Sequence, residues 1–181
     1  MSTDKKTIII DALQELMNEK SIDKITVKNI VEKCDITRQT FYYHFQDMME
    51  VIEVALDREM KMIFEDTIKV NKRKEAIEVL VTSVAKHIVL IRRLLVSSRR
   101  DQTERLLIST LKDYINEFIE IKEALPNISR TDMAFVLDFY SYAIYGILLQ
   151  QKDFKPASVK ELVNRIDKII SGEMIHFPDE F

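Results

Sequence analysis

Apolar residues recur along most of this chain at intervals of three and four, the spacing of one face of an α-helix. From Asp4 to Glu19, the residues Ile8, Ala12, Leu13, Leu16 and Met17 fall on one side, with Lys5, Lys6, Asp11, Glu15 and Glu19 elsewhere. Ser21 to Lys24 reads as a polar break. Val27, Ile30, Val31 and Cys34 form a second, shorter stripe that stops at Asp35-Ile36. A third helix starts at Thr37, and Phe41 and Phe45, four apart, pin it to the other two. Asp47 with Glu50 three residues on predicts the capped start of a long helix to about Val70, carrying Val51, Ile52, Ala55, Leu56, Met60, Ile63 and Phe64. After the solvated Asn71 to Lys74, further stripes cover 75–98 and 102–122, and Ala124-Leu125-Pro126-Asn127 stops the second of these.

Two segments near the end differ from the rest. Between Arg130 and Gln151 the run MAFVLDFYSYAIYGILLQ is apolar nearly all round, and a helix of that kind must touch its own core and something else. Tyr145 precedes Gly146, where the missing side chain permits close approach of a second backbone. Pro156 and the pair Ser158-x-x-Glu161 then announce a last helix, whose seam of Val159, Leu162, Val163, Ile166, Ile169 and Ile170 ends at Gly172. Two such helices are what an isologous four-helix interface between two copies requires. Tyr145, Gly146, Leu149, Val159, Leu162, Val163 and Ile166 are therefore the expected self-association residues.

Composition supports an all-α fold, because two glycines and three prolines in 181 residues leave few turn signals. The single cysteine forms no intramolecular disulfide, and no charged-then-apolar leader is visible at the N-terminus. No apolar run approaches the roughly 20 residues of a membrane span. The expectation is a soluble, cytoplasmic protein. Three scattered histidines, no Gly-rich phosphate loop and no clustered carboxylates supply no catalytic constellation, so no enzyme, cofactor or metal is expected. The net charge of -3 argues against unselective nucleic-acid binding, and residues 1–46 are neutral, with seven basic and seven acidic side chains.

The stretch TVKNIVEKCDITRQTFYYHF, Thr26 to Phe45, carries the chemistry. Thr26 and Thr37 are both suited to capping a helix start, where outward N–H groups also suit a phosphate. Capping alone accounts for Thr26 as well as phosphate binding does. With Phe41 and Phe45 inward, the residues Arg38, Gln39, Thr40, Tyr42, Tyr43 and His44 point outward or sideways. Arg, Gln and Thr can read guanine, adenine and the thymine methyl in the major groove. Tyr and His can donate to phosphates, which positions a helix without reading sequence.

This stretch resembles the signature of TetR-family transcriptional regulators, over about the first 50 residues. The resemblance implies an N-terminal three-helix DNA-binding domain with a helix-turn-helix, residues 1–46, then a larger C-terminal helical bundle domain for regulation and dimerisation, residues 47–181. It implies a homodimeric regulator, a repressor or an activator, on a palindromic double-stranded DNA operator. Thr26, Val27 and Lys28 would lie at the DNA backbone, Thr37, Arg38, Gln39 and Thr40 at base edges and phosphates, Tyr42 and His44 at phosphates, and Tyr43 toward the groove. Two positions depart from the pattern: Asp35 stands where the family usually has Gly, and QDMME supplies no lysine after the motif. Lys5, Lys6 and Lys28 would then have to carry more of the phosphate attraction.

A small-molecule effector would sit in the C-terminal domain, lined by Met60, Phe64, Tyr114, Phe118, Phe139 and Tyr142. Aromatic and Met side chains at helical spacing serve equally as core. FYSYAIYG is also similar to the subgroup of dihydroxyacetone-kinase operon regulators, which implies control by a protein partner as the alternative.

Overall fold

The structure, a computed structural model, describes residues 4–174. Its regular elements are α1 (Lys5–Glu19), a 3-10 turn (Ile22–Lys24), α2 (Val27–Cys34), α3 (Arg38–His44), α4 (Met48–Lys69), α5 (Arg73–Leu95), α6 (Arg100–Ile121), α7 (Arg130–Gln150) and α8 (Pro156–Ile170). Among the described residues there is no strand. The fold is all-α.

Polar side chains mark most of the helix starts. The Asp4 carboxylate accepts from the Lys6 N–H at 3.2 Å and opens α1. At α4 the Asp47 Oδ1 accepts from Met49 N at 2.7 Å and Glu50 N at 3.0 Å, while the Glu50 carboxylate reaches back to the Gln46 N–H. Asp47 caps as expected, whereas Glu50 reaches one residue further back than a reciprocal capping pair would. The start of α8 differs from expectation. Pro156 occupies its first turn after Lys155, and Ser158 donates to Asp153 at 2.8 Å instead of capping. Glu161 pairs with Arg165 one turn on. Proline needs no N–H partner there, so the cap is unnecessary.

Two compact units divide the chain: Met1–Met60 with Ile88–Asp113, and Lys61–His87 with Tyr114–Phe181. Helices α4, α5 and α6 each contribute residues to both. The core of the first unit gathers Ile9, Ile10, Leu13, Leu16 and Met17 of α1 with Ile30, Val31, Phe41 and Phe45, closed by Met48, Val51, Ile52 and Leu94. Ile22, inside the expected polar break, is also in this core at 1% exposure. Two polar fastenings hold the α5–α6 turn in the same unit. Arg93 donates to the main-chain oxygens of Met17 and of Asn18, the latter at 2.9 Å. Asp23 accepts from the Ser98 hydroxyl at 2.6 Å and its N–H at 3.1 Å, with Arg99 at 3.5 Å. The Ser98 hydroxyl first, then its N–H and the Arg99 charge, hold the Asp23 carboxyl below its ordinary value despite some desolvation.

In the second unit, Thr67 is fully buried, donating to the Ile63 carbonyl at 2.8 Å and sharing a 2.8 Å bond with the Tyr114 hydroxyl. Burial raises the Tyr114 hydroxyl to about 12, against the smaller opposing effect of that bond. Lys122 donates to the carbonyls of Ile68 and Val70, both at 3.0 Å, satisfying the end of α4. Arg73 holds Asp167 at 2.8 Å. Leu137, Ser141, Ile144 and Leu148 form the buried face of α7, and Leu162, Val163 and Ile166 that of α8.

That burial corrects the reading of the α8 seam. Leu162, Val163 and Ile166 are 5%, 2% and 5% exposed within the single chain, so they belong to its own core. A stripe at helical spacing is the same whether it meets its own chain or a second copy. A second correction concerns α7. It is 21 residues long and holds an 18-residue stretch with a mean hydropathy of 1.3, long and apolar enough to cross a membrane by length and composition, although no such run was expected. Asp138 and the tyrosines interrupt the run by eye but not on average.

Candidate nucleic-acid interface

The junction between α2 and α3 is built by two threonines and one strained residue. Thr26 accepts from the Asn29 N–H at 3.3 Å while the Asn29 side-chain oxygen accepts from Thr26 N at 3.0 Å and from its hydroxyl at 3.1 Å. The Thr26 hydroxyl is thus occupied as a cap. At the other end Asp35 takes the left-handed backbone conformation, φ 51 and ψ 51, and Ile36 N donates back to Val31 O at 3.0 Å. Asp tolerates that conformation better than most residues, which explains how the turn forms without glycine. Thr37 then caps α3, accepting from Thr40 N at 3.0 Å, and the two threonine hydroxyls lie 2.9 Å apart.

Phe41 and Phe45, 0% and 2% exposed, anchor α3 from within, as their spacing predicts. Arg38 and Gln39 project into solvent, and Tyr42 and Tyr43 are 58% and 84% exposed. Phe41 meets Tyr42 edge-on at 5.4 Å and Tyr43 meets the half-buried His44 edge-on at 4.9 Å. These contacts hold the two tyrosines upright on a seven-residue helix. Arg38, Gln39, Tyr42 and Tyr43 thereby present one face of donors and aromatic rings, and Val27 at the start of α2 is half-buried.

The charges around this face are uneven. Lys28 lies 3.7 Å from Glu32, and Lys33 is held by Glu15 at 2.8 Å, the bond that raises its ammonium above the ordinary value. Arg38, Lys5 and Lys6 have no ion pair among the described residues, and Lys6 sits over the Phe45 ring at 5.8 Å. Met48, where a phosphate-binding lysine is expected, is buried. Cations are therefore available from α1 and α3 but not from the start of α4.

The structure brings together some of the other expected positions and separates others. Phe64 and Tyr114 meet edge-on at 6.0 Å, and Met60 and Phe118 are half-buried. Phe139 and Tyr142 do not line an interior: they are 58% and 59% exposed, because the core face of α7 is the one through Leu137 and Ile144. Phe135, unremarked in the sequence, is 72% exposed and stacks on Phe139 with ring centres 6.5 Å apart. Phe135, Phe139 and Tyr142 lie at i, i+4 and i+7, a stripe that the periodicity shows once the core face is known. Tyr145 and Leu149 are half-buried, and nothing lies within 4 Å of a Cβ built on Gly146, so close approach is open there. Among the described residues no group of three or more His, Cys, Asp or Glu could hold a metal ion.

A capped short helix carrying outward Arg, Gln and Tyr after a tight turn defines the class of helix-turn-helix DNA-binding regulators. Residues 9–55 match the bacterial regulatory proteins of the tetR family, and residues 71–172 match the C-terminal region of transcriptional regulators. The chain belongs to the tetR family of transcriptional regulators. A curated relative, the HTH-type transcriptional regulator YxbF of Bacillus subtilis (strain 168), is 27% identical over 86 residues, 42% of this chain. The match spans only 23% of that relative's length. Among solved structures, Lin0861 from Listeria innocua superposes with a TM-score of 0.70 at 18% identity, covering 94% of this chain and 95% of that one. The dihydroxyacetone kinase operon activator DhaS gives 0.66 at 18%, over 93% and 95%. FadR from Thermus thermophilus, in complex with lauroyl-CoA, gives 0.64 at 15%, over 98% of each chain. At these identities the likeness is one of fold.

Proposed function

We propose that this regulator acts as a homodimer on a palindromic double-stranded DNA operator, with α3 in the major groove and its affinity set by a small-molecule effector in the second compact unit. The observation that carries the reading is the exposed Phe135, Phe139 and Tyr142 stripe on α7. Three adjacent aromatics left in water are costly, and a two-fold axis through one helix face covers both copies at once. Arg38, Gln39 and Thr40 read bases, Tyr43 points toward the groove, and Tyr42 and His44, with Thr26, Val27, Lys28 and Thr37, set the helix against the backbone. The expected DNA-binding domain ends near residue 46, although the core beneath it draws on Leu94 and, partly buried, Leu106.

Purified protein should sediment as a dimer at micromolar concentration and shift a palindromic fragment from beside its own gene. Affinity should fall steeply with salt, because Lys and Arg displace counterions from the phosphates. A monomer, or a shift no stronger than with random DNA, removes the proposal.

A second reading, control by a protein partner, is favoured by Val89 on α5 and Val96 in the turn just after it, 58% and 85% exposed. Operator release by a metabolite acting on the purified protein alone supports the first reading. Release only on adding a second protein supports the other.

A further inference from the structure

Within the second unit, α5 and α8 line an open groove of about 730 Å³ that includes neither ring of the Phe64 and Tyr114 pair. Its floor is apolar, from Ala85 on α5, Phe154 before α8, and Val159 and Val163 on α8. Its rim carries three lysines, Lys74, Lys86 and Lys160, against one carboxylate, Glu78. Ion pairs are common among the neighbouring cations: Lys69 with Asp66, Lys72 with Glu75, Arg73 with Asp167 and Arg165 with Glu161. The three rim lysines make none among the described residues. Lys86 does lie within electrostatic reach of Asp66, but that carboxylate already accepts from Lys69 at 2.8 Å.

We propose that this groove binds an amphipathic anion, an unbranched hydrocarbon chain ending in one acidic head group of the fatty-carboxylate kind. Its volume falls in the range of small-molecule sites, roughly 300–1,000 Å³, and apolar walls with a few placed polar groups are their usual lining. Lys74, Glu78, Thr82 and Lys86 repeat every four residues, so they share one face of α5. From Lys74 to Lys86 that row extends about 18 Å, at roughly 1.5 Å per residue. The groove is therefore long enough for an extended chain. Glu78 sits within the row and opposes negative charge spread along the ligand, which disfavours a polyanion such as a nucleic-acid backbone. One head group near a lysine, with its tail on Ala85, Val159 and Val163, satisfies both the cations and the floor. Such a ligand deepens the effector reading, and depends on it only for its consequence at the operator.

The test is calorimetric titration of the full chain with dodecanoate below its micellar concentration, beside acetate and dodecyltrimethylammonium. Saturable binding of dodecanoate, with acetate and the cationic amphiphile at least tenfold weaker, is expected. Equal binding of the cationic amphiphile, or no binding of dodecanoate, overturns the proposal. Ala85→Phe fills the floor, and Lys86→Glu with Lys160→Glu reverses the rim; each should weaken dodecanoate at least tenfold with an unchanged circular dichroism melt. Binding that survives in both variants places the ligand elsewhere and overturns the assignment. A mobility shift run alongside separates the two readings: dodecanoate bound in the groove without change in operator affinity supports the site and removes its role as effector. Release of the operator by a different metabolite, with dodecanoate unbound, overturns the site and leaves the effector reading standing.

Discussion

Two helix faces of this chain meet solvent with aromatic rings, and they do so in opposite ways. On α3, Tyr42 and Tyr43 stand beside Arg38, Gln39 and the threonine hydroxyls. On α7, Phe135 and Phe139 stand beside Tyr142 with Asp138 as their charged neighbour. The first face is ringed with donors and matches a hydrated, anionic groove. The second offers hydrocarbon, which gains by leaving water altogether, at roughly 25 cal/mol per Å² of apolar area covered. Exposure alone therefore says little; the atoms exposed decide which surface each helix meets.

The comparison breaks most sharply if α7 is made polar. Phe135→Glu with Phe139→Glu removes burial worth roughly 1.5–3 kcal/mol per ring, counted twice across a two-fold axis. Sedimentation should show a monomer, and operator affinity should fall by about two orders of magnitude or more, with the melt of the chain retained. A variant that still dimerises would assign the α7 stripe to something else. On α3, Gln39→Ala and Arg38→Ala should each cost about 1–3 kcal/mol on the operator and much less on random DNA. Tyr42→Phe should weaken both DNAs alike, as loss of a phosphate contact does. Anisotropy titrations of the three variants against the two DNAs test the division of roles.

The caps of the two helices offer a finer contrast. Thr37 caps a helix of seven residues and Ser129, accepting from Asp132 N at 3.1 Å, one of twenty-one. Each Ala variant should lose about 0.5–2 kcal/mol in urea unfolding. Thr37→Ala should also lower operator affinity, whereas Ser129→Ala should not. The narrowest effect, confined to alkaline pH, belongs to Tyr114, which lies on neither face. Its hydroxyl is raised from 10.0 to about 12 in the folded chain, so the unfolded chain loses that proton first. The stability this contributes is complete below pH 10 and is lost as pH rises through 12. Tyr114→Phe should flatten that alkaline loss in melts between pH 9 and 12, with dimerisation and DNA binding unchanged.

Much of the first unit was legible because its signals are local. The spacing of Val27, Ile30, Val31 and Cys34, the cap residue Thr37 and the pair Asp47 and Glu50 each act within four residues, and the structure has the corresponding helices and caps. The α7 and α8 surfaces were not legible in the same way. Periodicity finds a stripe but not what covers it, so Leu162, Val163 and Ile166 read as an interface although they close their own core, and Phe139 and Tyr142 read as lining although they face outward. The groove between α5 and α8 depends on a pairing of helices some 75 residues apart in number, from Ala85 to Val159, which no local pattern encodes.

Leu94 of α5 closes the apolar core under α3 together with Met48, Val51 and Ile52. The reading head is consequently not a detachable module. A fragment cut after residue 46 keeps every side chain proposed to meet DNA yet loses those four, and its amide spectrum should collapse toward that of an unfolded chain. Grafting this specificity onto another regulator requires the turn at Ser97 and Ser98, more than fifty residues downstream, to travel with it.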